Sequence, residues 1–118
     1  MNNLSLSTLE RIVLDKLLAR KGRVFELLRT QLEGAHVTRR EFTGCGFYTY
    51  LKVAKSAPPI ECDKGNLEIS GVVATIDGLE HGAGFVLFVR DGYLDNLEGF
   101  TYDEPWPEKV HNVCLNYT

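Results

Sequence analysis

The chain has 118 residues, of which 44% are hydrophobic, and it carries a formal net charge of −3 at pH 7. This length fits one domain of ordinary size, whose core needs neither a metal ion nor disulfides to hold it together. A membrane-spanning protein is not expected, because the longest apolar run, residues 85–89, has the length of a strand, whereas a spanning helix needs roughly 18 residues.

Charge is distributed unevenly along the chain. Residues 1–60 hold ten Lys and Arg against five Asp and Glu, whereas residues 61–118 hold three against eleven. A nucleic-acid-binding protein needs a basic face, and the second half of this chain would repel phosphate. The pattern predicts no nucleic-acid partner, and an acidic half that either binds a basic protein or keeps the surface solvated.

The three cysteines, Cys45, Cys62 and Cys114, are odd in number and widely spaced, which argues against a disulfide framework. They also lack the close ligand pairs of a zinc site, so we expect no metal and no other cofactor. The N-terminal residues lack the basic start and apolar segment of a secretory signal. Together these features predict a cytoplasmic protein in a reducing compartment.

Two helices are predicted at the start of the chain. Ser7 and Glu10 have the spacing of a capping box, in which each side chain bonds the backbone amide of the other residue. Gly22 is expected to stop this first helix. A second helix with leucines at helical spacing is expected to end at Gly34, so residues 1–34 form the helical part.

In residues 35–118 the hydrophobic period changes to two, which is typical of β-strands. The first strand alternates weakly and contains Arg39 and Arg40, so it is predicted to be an exposed edge through which a homodimer could form. Gly71 within a later strand predicts a bulge or a close approach of the backbone. Asp91-Gly92 supplies the turn of a hairpin, because glycine adopts the positive φ that a short loop needs.

Two helices followed by strands define an α+β fold. We expect both helices to pack on one face of an antiparallel meander of about five strands. The chain is predicted to form a single domain, residues 1–118, in which the sheet part follows the helical part.

Gly44-Cys45-Gly46 raises the question of a catalytic nucleophile. A reactive thiolate is stabilised by a histidine or by a helix N-terminus, and here a β pattern follows the motif instead of a helix. The glycines predict a sharp turn between strands with Cys45 within it. Glu80 and His81 lie on a glycine-rich loop and could act as acid and base. A small enzyme or ligand-binding domain that uses Cys45, Glu80 and His81 is therefore the alternative function.

The most unusual segment, residues 90–108, combines six carboxylates with several aromatic side chains. Tyrosine and tryptophan anchor protein interfaces, and carboxylates around them attract a basic partner. The alternative is that Trp106 closes an open end of the core while the acidic side chains are solvated. The predicted partner-binding surface consists of Tyr93, Asp95, Glu98, Tyr102, Asp103, Glu104 and Trp106.

The chain resembles a group of small bacterial α+β proteins of unassigned activity in three strings, EFTGCGFYT, LEHGAGFVLFVRDGYLDNLEGFTYDEPWPE and LERIVLDKLLA. In size, acidity and one-domain α+β build it is also similar to the immunity proteins of bacterial toxin systems. Those proteins bind a toxin domain, often a basic nuclease, and block its active site or an exosite. The likeness implies a non-enzymatic protein whose partner is a toxin domain, and it assigns no role to any residue.

Overall fold

The computed structural model describes residues 5–118, in which two helices precede a six-stranded antiparallel sheet. The helices are α1 (Thr8–Leu17) and α2 (Arg23–Glu33). The strands are β1 (His36–Phe42), β2 (Gly46–Lys52), β3 (Leu67–Thr75), β4 (Ala83–Arg90), β5 (Tyr93–Thr101) and β6 (Cys114–Tyr117), and a 3-10 turn spans Cys62–Gly65. The predicted α+β class is confirmed. The sheet has six strands where about five were expected, because the short β6 adds to one edge.

The strands follow the order β1-β2-β5-β4-β3-β6 across the sheet. Strands β3, β4 and β5 form a meander as expected, but β2 pairs with β5 instead of with β3. The sheet therefore consists of a β1–β2 hairpin that joins the far side of a three-stranded meander, with β6 added at the opposite edge next to β3.

Three Gly-Phe dipeptides lie side by side where β2, β5 and β4 meet. Gly46-Phe47, Gly99-Phe100 and Gly84-Phe85 are in a register that sets each phenylalanine opposite a glycine. The Phe47 ring covers Gly99, and the Phe100 ring covers Gly84, so that a Cβ on either glycine would overlap the ring. Aromatic rings that fill the space over glycines stabilise a defined register, and this fit accounts for the position of β5 between β2 and β4.

Both helices contribute to one core that also includes one face of the sheet. α1 packs against β3 and β4, and α2 packs against β5. The largest fully buried apolar side chains in this layer are Leu14, Leu17, Leu18, Leu28, Ile76, Phe85, Leu87 and Leu97. Within residues 5–118 no helix has the length and apolar character needed to cross a lipid bilayer.

Glu10 joins the first helix to the sheet. The predicted capping box is confirmed, because the Ser7 hydroxyl accepts the Glu10 amide and the Glu10 carboxylate accepts the Ser7 amide at 2.8 Å. The same carboxylate accepts two hydrogen bonds of 2.8 Å from Arg40 on β1 and one from the Thr49 hydroxyl on β2. Burial alone would raise the pKa of Glu10, but the bonds from Arg40, Thr49 and Ser7 outweigh it and the pKa lies below its ordinary value.

The predicted edge at β1 is confirmed by its terminal position in the sheet, but its two arginines behave differently. Arg40 turns inward to Glu10, so the expectation that both arginines are exposed is wrong for Arg40. Arg39 stays exposed, with its guanidinium 4.1 Å from the centre of the Tyr50 ring. A register shift after Val37 interrupts the ladder, and such bulges discourage pairing at an edge. Dimerisation through this strand stays a prediction.

The predictions for Gly71 and Gly92 are confirmed, but the prediction that Gly22 ends the first helix is wrong, because α1 ends at Leu17 and Gly22 is the N-cap of α2. Gly71 has a φ of 98° where the β3–β4 register shifts, and Gly92 has a φ of 89° in the β4–β5 turn. Gln31 of α2, which is fully buried, hydrogen-bonds the backbone of this turn from the helix side of the sheet. The Gln31 amide nitrogen donates to the carbonyls of Gly92 and Pro58, and its oxygen accepts the amide of Leu94.

We expect Glu10→Gln to lower the free energy of unfolding by about 3 kcal/mol, as measured by urea denaturation at pH 7. Removing one partner of a buried ion pair costs about 3–5 kcal/mol, and the lower value applies because Arg40 keeps partial exposure to water. Glu33→Gln is the matched control, because Glu33 is exposed at the end of α2, and its effect should stay within about 0.5 kcal/mol.

The same pair of proteins tests the sign of the pKa shift. A carboxyl group whose pKa is lower in the folded state contributes its stability above the unfolded pKa, here near the ordinary value of 4.5. The difference in stability between the native chain and Glu10→Gln should therefore be constant above that value and shrink as the pH falls below it. A difference that grows in acid would contradict the assigned role of the Glu10 charge.

Candidate functional site

The seven residues predicted to bind a partner do not form one patch. Strand β5 begins at Tyr93 and ends at Thr101, so Tyr93 and Tyr102 lie at opposite ends of the sheet. Tyr93 packs against the core. Asp95, near the same end, accepts a hydrogen bond from Asn96 and lies 3.5 Å from the Arg90 guanidinium. Glu98 lies mid-strand on β5 beside Tyr48, and the other four residues, Tyr102, Asp103, Glu104 and Trp106, lie together in the segment after β5.

Trp106 belongs to the core side of the sheet. Its ring packs edge-on against Phe47 with the ring centres 5.1 Å apart, and its amide donates to the Gly44 carbonyl at 2.8 Å. This placement agrees with the alternative in which Trp106 closes an end of the core. Its indole is still partly exposed.

Glu104 organises the neighbouring loop. Its carboxylate accepts the backbone amides of Glu80 at 2.8 Å and His81 at 2.9 Å. These two bonds hold the pKa of Glu104 below its ordinary value. The Thr101 hydroxyl donates to the carbonyls of Glu104 and Cys45. It therefore links the segment after β5 to the turn between β1 and β2. The segment is therefore held in place by bonds within the chain.

Several acidic residues lie at this end of the sheet, in the loops that follow β3 and β5. We call this region the acidic end and define it by five residues: Asp77, Glu80, Asp103, Glu104 and Glu108. All of them except Glu104 are exposed. Asp103 has a φ of 62°, a conformation that aspartate and asparagine tolerate better than most residues.

The predicted turn at Gly44-Cys45-Gly46 is confirmed. Gly44 has a φ of 91°, and Cys45 lies exposed between β1 and β2, where its carbonyl accepts the Thr101 amide at 2.9 Å. Thr101 also pairs with Ala83, so the Cys45 turn and the Glu80-His81 loop reach the same end of the sheet. The Glu80 and His81 side chains are 81% and 62% exposed, with His81 Nε2 4.0 Å from a Glu80 oxygen. Within residues 5–118, no three His, Cys, Asp or Glu side chains gather as a metal site would require.

The sheet face opposite the helices was not predicted as a site, although Glu98 from the predicted partner-binding surface lies on it. Tyr48 and Tyr50 point to it, because they alternate with Phe47 and Thr49, which face the core and α1. We call this the open face, and its residues on the three central strands are Tyr48, Tyr50, Val86, Phe88, Asn96, Glu98 and Phe100. The clean alternation of β2 in the sequence was the signal that could have identified it.

Aromatic rings and one carboxylate order the open face. The Tyr48 and Tyr50 rings stack with their centres 6.3 Å apart, and the Tyr48 hydroxyl donates to Glu98 at 3.1 Å. That bond to a carboxylate raises the pKa of the Tyr48 hydroxyl. Phe100 meets Tyr102 edge-on at 5.5 Å, which connects the open face to the acidic end.

Two cations beside the open face, Arg39 and Arg90, are engaged within the chain, whereas Lys52, which follows Tyr48 and Tyr50 on the same side of β2, is exposed and forms no ion pair within residues 5–118. Arg39 stacks on Tyr50 and lies 3.7 Å from a Glu41 oxygen. Arg90 pairs with Asp95 and lies over the Phe88 ring at 5.7 Å. Between the two arginines, the open face presents aromatic rings and the Glu98 carboxylate.

Asn96 lies at the centre of the open face, between Tyr50 on β2 and Phe88 on β4. It is only 5% exposed, and its amide nitrogen donates to Asp95 at 2.7 Å. Its buried oxygen has no hydrogen-bond partner among residues 5–118. Leaving a buried acceptor without a donor costs about 1–3 kcal/mol, so a hydrogen bond to this oxygen would stabilise the chain.

Comparisons with family models, with curated proteins and with solved structures found no match to the chain. The resemblances drawn from the sequence therefore stay predictions, and the functional argument rests on the surfaces described above.

We expect Glu104→Gln to speed hydrogen exchange at the amides of Glu80 and His81, as measured by NMR at pH 7. The neutral side chain has one carbonyl acceptor where the carboxylate has two oxygens, so it cannot reproduce both charge-assisted bonds. Glu108→Gln is the matched control, because Glu108 lies in the same acidic end and is exposed. Unchanged exchange in Glu104→Gln would show that the loop does not depend on this carboxylate.

Proposed function

We propose that this chain is a non-enzymatic protein-binding module that binds its partner with the open face and the adjoining acidic end. One observation carries the proposal: the helices cover a single face of the sheet, and the other face presents partly exposed aromatic rings around a carboxylate. Aromatic side chains are enriched at interface hot spots, where they bury a large area with little loss of side-chain freedom.

The partner is proposed to be basic. Arg39 and Arg90, which flank the open face, already have carboxylate partners in Glu41 and Asp95. By contrast, Asp103 and Glu80 project from the acidic end with no cation paired to them among residues 5–118, apart from the neighbouring His81. Unpaired carboxylates beside aromatic rings attract lysine and arginine side chains and increase the rate of encounter with a basic surface.

We further propose that the partner is a toxin domain and that the protein acts in the cytoplasm as an immunity protein. The mechanism would be occlusion, in which the sheet covers the active site or an adjacent surface of the toxin. The support is the small α+β build, the segregation of acidic residues into the second half of the chain, and the rigid attachment of the acidic end through Glu104 and Thr101. A surface already ordered before binding loses less entropy on association.

The proposal is tested with a variant that combines Glu80→Gln, Tyr102→Ala and Asp103→Asn. All three side chains are exposed, so the fold should persist, and asparagine tolerates the positive φ at position 103. The tagged protein is used to capture partners from the lysate of its host, and native mass spectrometry identifies a stoichiometric basic protein. We expect the variant to bind that protein at least about tenfold more weakly.

The control removes exposed acidic charge elsewhere, through Glu26→Gln, Glu33→Gln and Glu61→Gln. This control should bind as the native chain does and protect cells that express the partner. If the partner binds both variants equally, the proposed surface is wrong. If the captured partner is acidic or is a nucleic acid, the proposed partner class is wrong.

The alternative function uses Cys45, Glu80 and His81. One observation favours it: the Cys45 turn and the Glu80-His81 loop both lie beside Thr101, at the same end of the sheet. It predicts a thiol that reacts with iodoacetamide faster than an ordinary exposed cysteine. The protein-binding proposal predicts that Cys45 reacts at the rate of Cys114, which is also exposed, when each is measured in a single-cysteine variant.

Cys62 provides an internal reference for the same measurement. Its thiol bonds the Asp63 carboxylate, which raises the pKa of Cys62, so it should react more slowly than Cys114 near pH 8. Asp63→Asn should remove that difference. Rapid labelling of Cys45 alone, abolished by His81→Ala, would support the enzyme over the binding module.

A further inference from the structure

A pocket of about 280 Å³ opens between the start of α1 and the β1–β2 hairpin, on the helix side of the sheet. Its apolar walls are Leu9, Phe42, Phe47 and Trp106. The polar part of its lining is Ser7, Glu10 and Arg40. Binding sites for small molecules combine mostly apolar walls with a few polar groups, and this volume is near the lower end of their range.

The polar lining can donate hydrogen bonds but has little capacity left to accept them. Both Glu10 oxygens already accept two hydrogen bonds each, from Ser7, Arg40 and Thr49. Arg40 uses Nε and Nη2 for Glu10 and for the Ser5 carbonyl. Its Nη1 makes no hydrogen bond within residues 5–118. A guanidinium nitrogen is only a donor, so a ligand here must bring an acceptor.

Phe42 lies at the end of β1 with 69% of its surface exposed, the most exposed large apolar side chain among the described residues. Because Phe42 adjoins Leu9, Phe47 and Trp106, it belongs to a contiguous apolar surface, and such surfaces mark binding sites more often than single exposed apolar residues do. Two neighbouring hollows continue the same surface. One shares Phe42 and Trp106 with the pocket and extends to Val110, and the other shares Leu9 and extends to Ile12. The pocket can therefore hold the apolar body of a ligand larger than one ring.

We infer that this pocket binds a small carboxylic acid with an aromatic or branched apolar body. The carboxylate would accept from Arg40 Nη1, and the body would lie among Phe42, Phe47 and Trp106. A bond between a guanidinium and a carboxylate is about twice as strong as one between neutral groups, so the acid is preferred over a neutral carbonyl compound. The pocket lies across the sheet from the open face, and the inference does not depend on the proposed partner.

The chain has a single tryptophan, which provides a direct readout. Because Trp106 lines the pocket, its indole resonance in a ¹H–¹⁵N spectrum should move when the pocket is filled. The probes are phenylacetate and phenylacetamide, which share ring and size but differ in charge. We expect both to move the resonance and phenylacetate to bind about tenfold more tightly, the effect of one charge-assisted bond. No movement with either probe at millimolar concentrations would overturn the inference.

Variants separate the contributions of the walls and of Arg40. Phe42→Ala should weaken phenylacetate binding several-fold without unfolding the chain, because Phe42 is exposed. Tyr117→Ala is the matched control, since Tyr117 is 51% exposed on β6, away from the pocket, and it should leave the affinity unchanged. Arg40→Lys should remove most of the preference for the acid over the amide. Equal affinity of the native chain for both probes, or no effect of Phe42→Ala, would contradict the site.

Discussion

The buried carboxylate of Glu10 connects the helical layer to the sheet. A charge in the core is tolerated only when hydrogen bonds satisfy it on all sides, so Ser7, Arg40 and Thr49 must converge on one point. These residues belong to the start of α1, to β1 and to β2. Their convergence sets the position of the β1–β2 hairpin beneath the helix, and the pocket beside Phe42 exists because the hairpin is held there.

Features that depend on neighbouring residues could be predicted from the sequence. The capping box spans three positions, the Asp91-Gly92 turn spans two, and Gly71 and Gly44 reveal themselves by the conformations that only glycine adopts easily. The strand order could not be predicted, because it rests on the fit of Phe47 over Gly99 and of Phe100 over Gly84. These contacts join parts of the chain that are distant in sequence, so no local sequence pattern predicts them.

The sequence predicts which types of residue form the candidate site, but not which way their side chains face. The sequence predicts acidic and aromatic side chains after residue 90, but only the folded chain distinguishes the Glu104 carboxylate, which accepts two backbone amides, from that of Asp103, which has no hydrogen-bond or ion-pair partner within residues 5–118. The sequence gives Arg40 the same predicted exposure as its neighbour Arg39, because Glu10, the partner that draws Arg40 inward, lies 30 positions away in the chain. The tyrosines of β2 were visible as an alternating pattern, but that pattern does not state which face the helices cover.

The strand order also governs how the chain can fold during synthesis. When β1 and β2 have been made, the strand that must lie beside them, β5, is still separated from them by the whole of β3 and β4. The Phe47 ring then has no Gly99 to cover, and the hairpin keeps an unpaired inner edge. Contacts between distant segments form slowly, and unpaired edges invite aggregation. Until β5 is made, the hairpin therefore keeps an edge open to unwanted pairing, and the helices cannot complete their core.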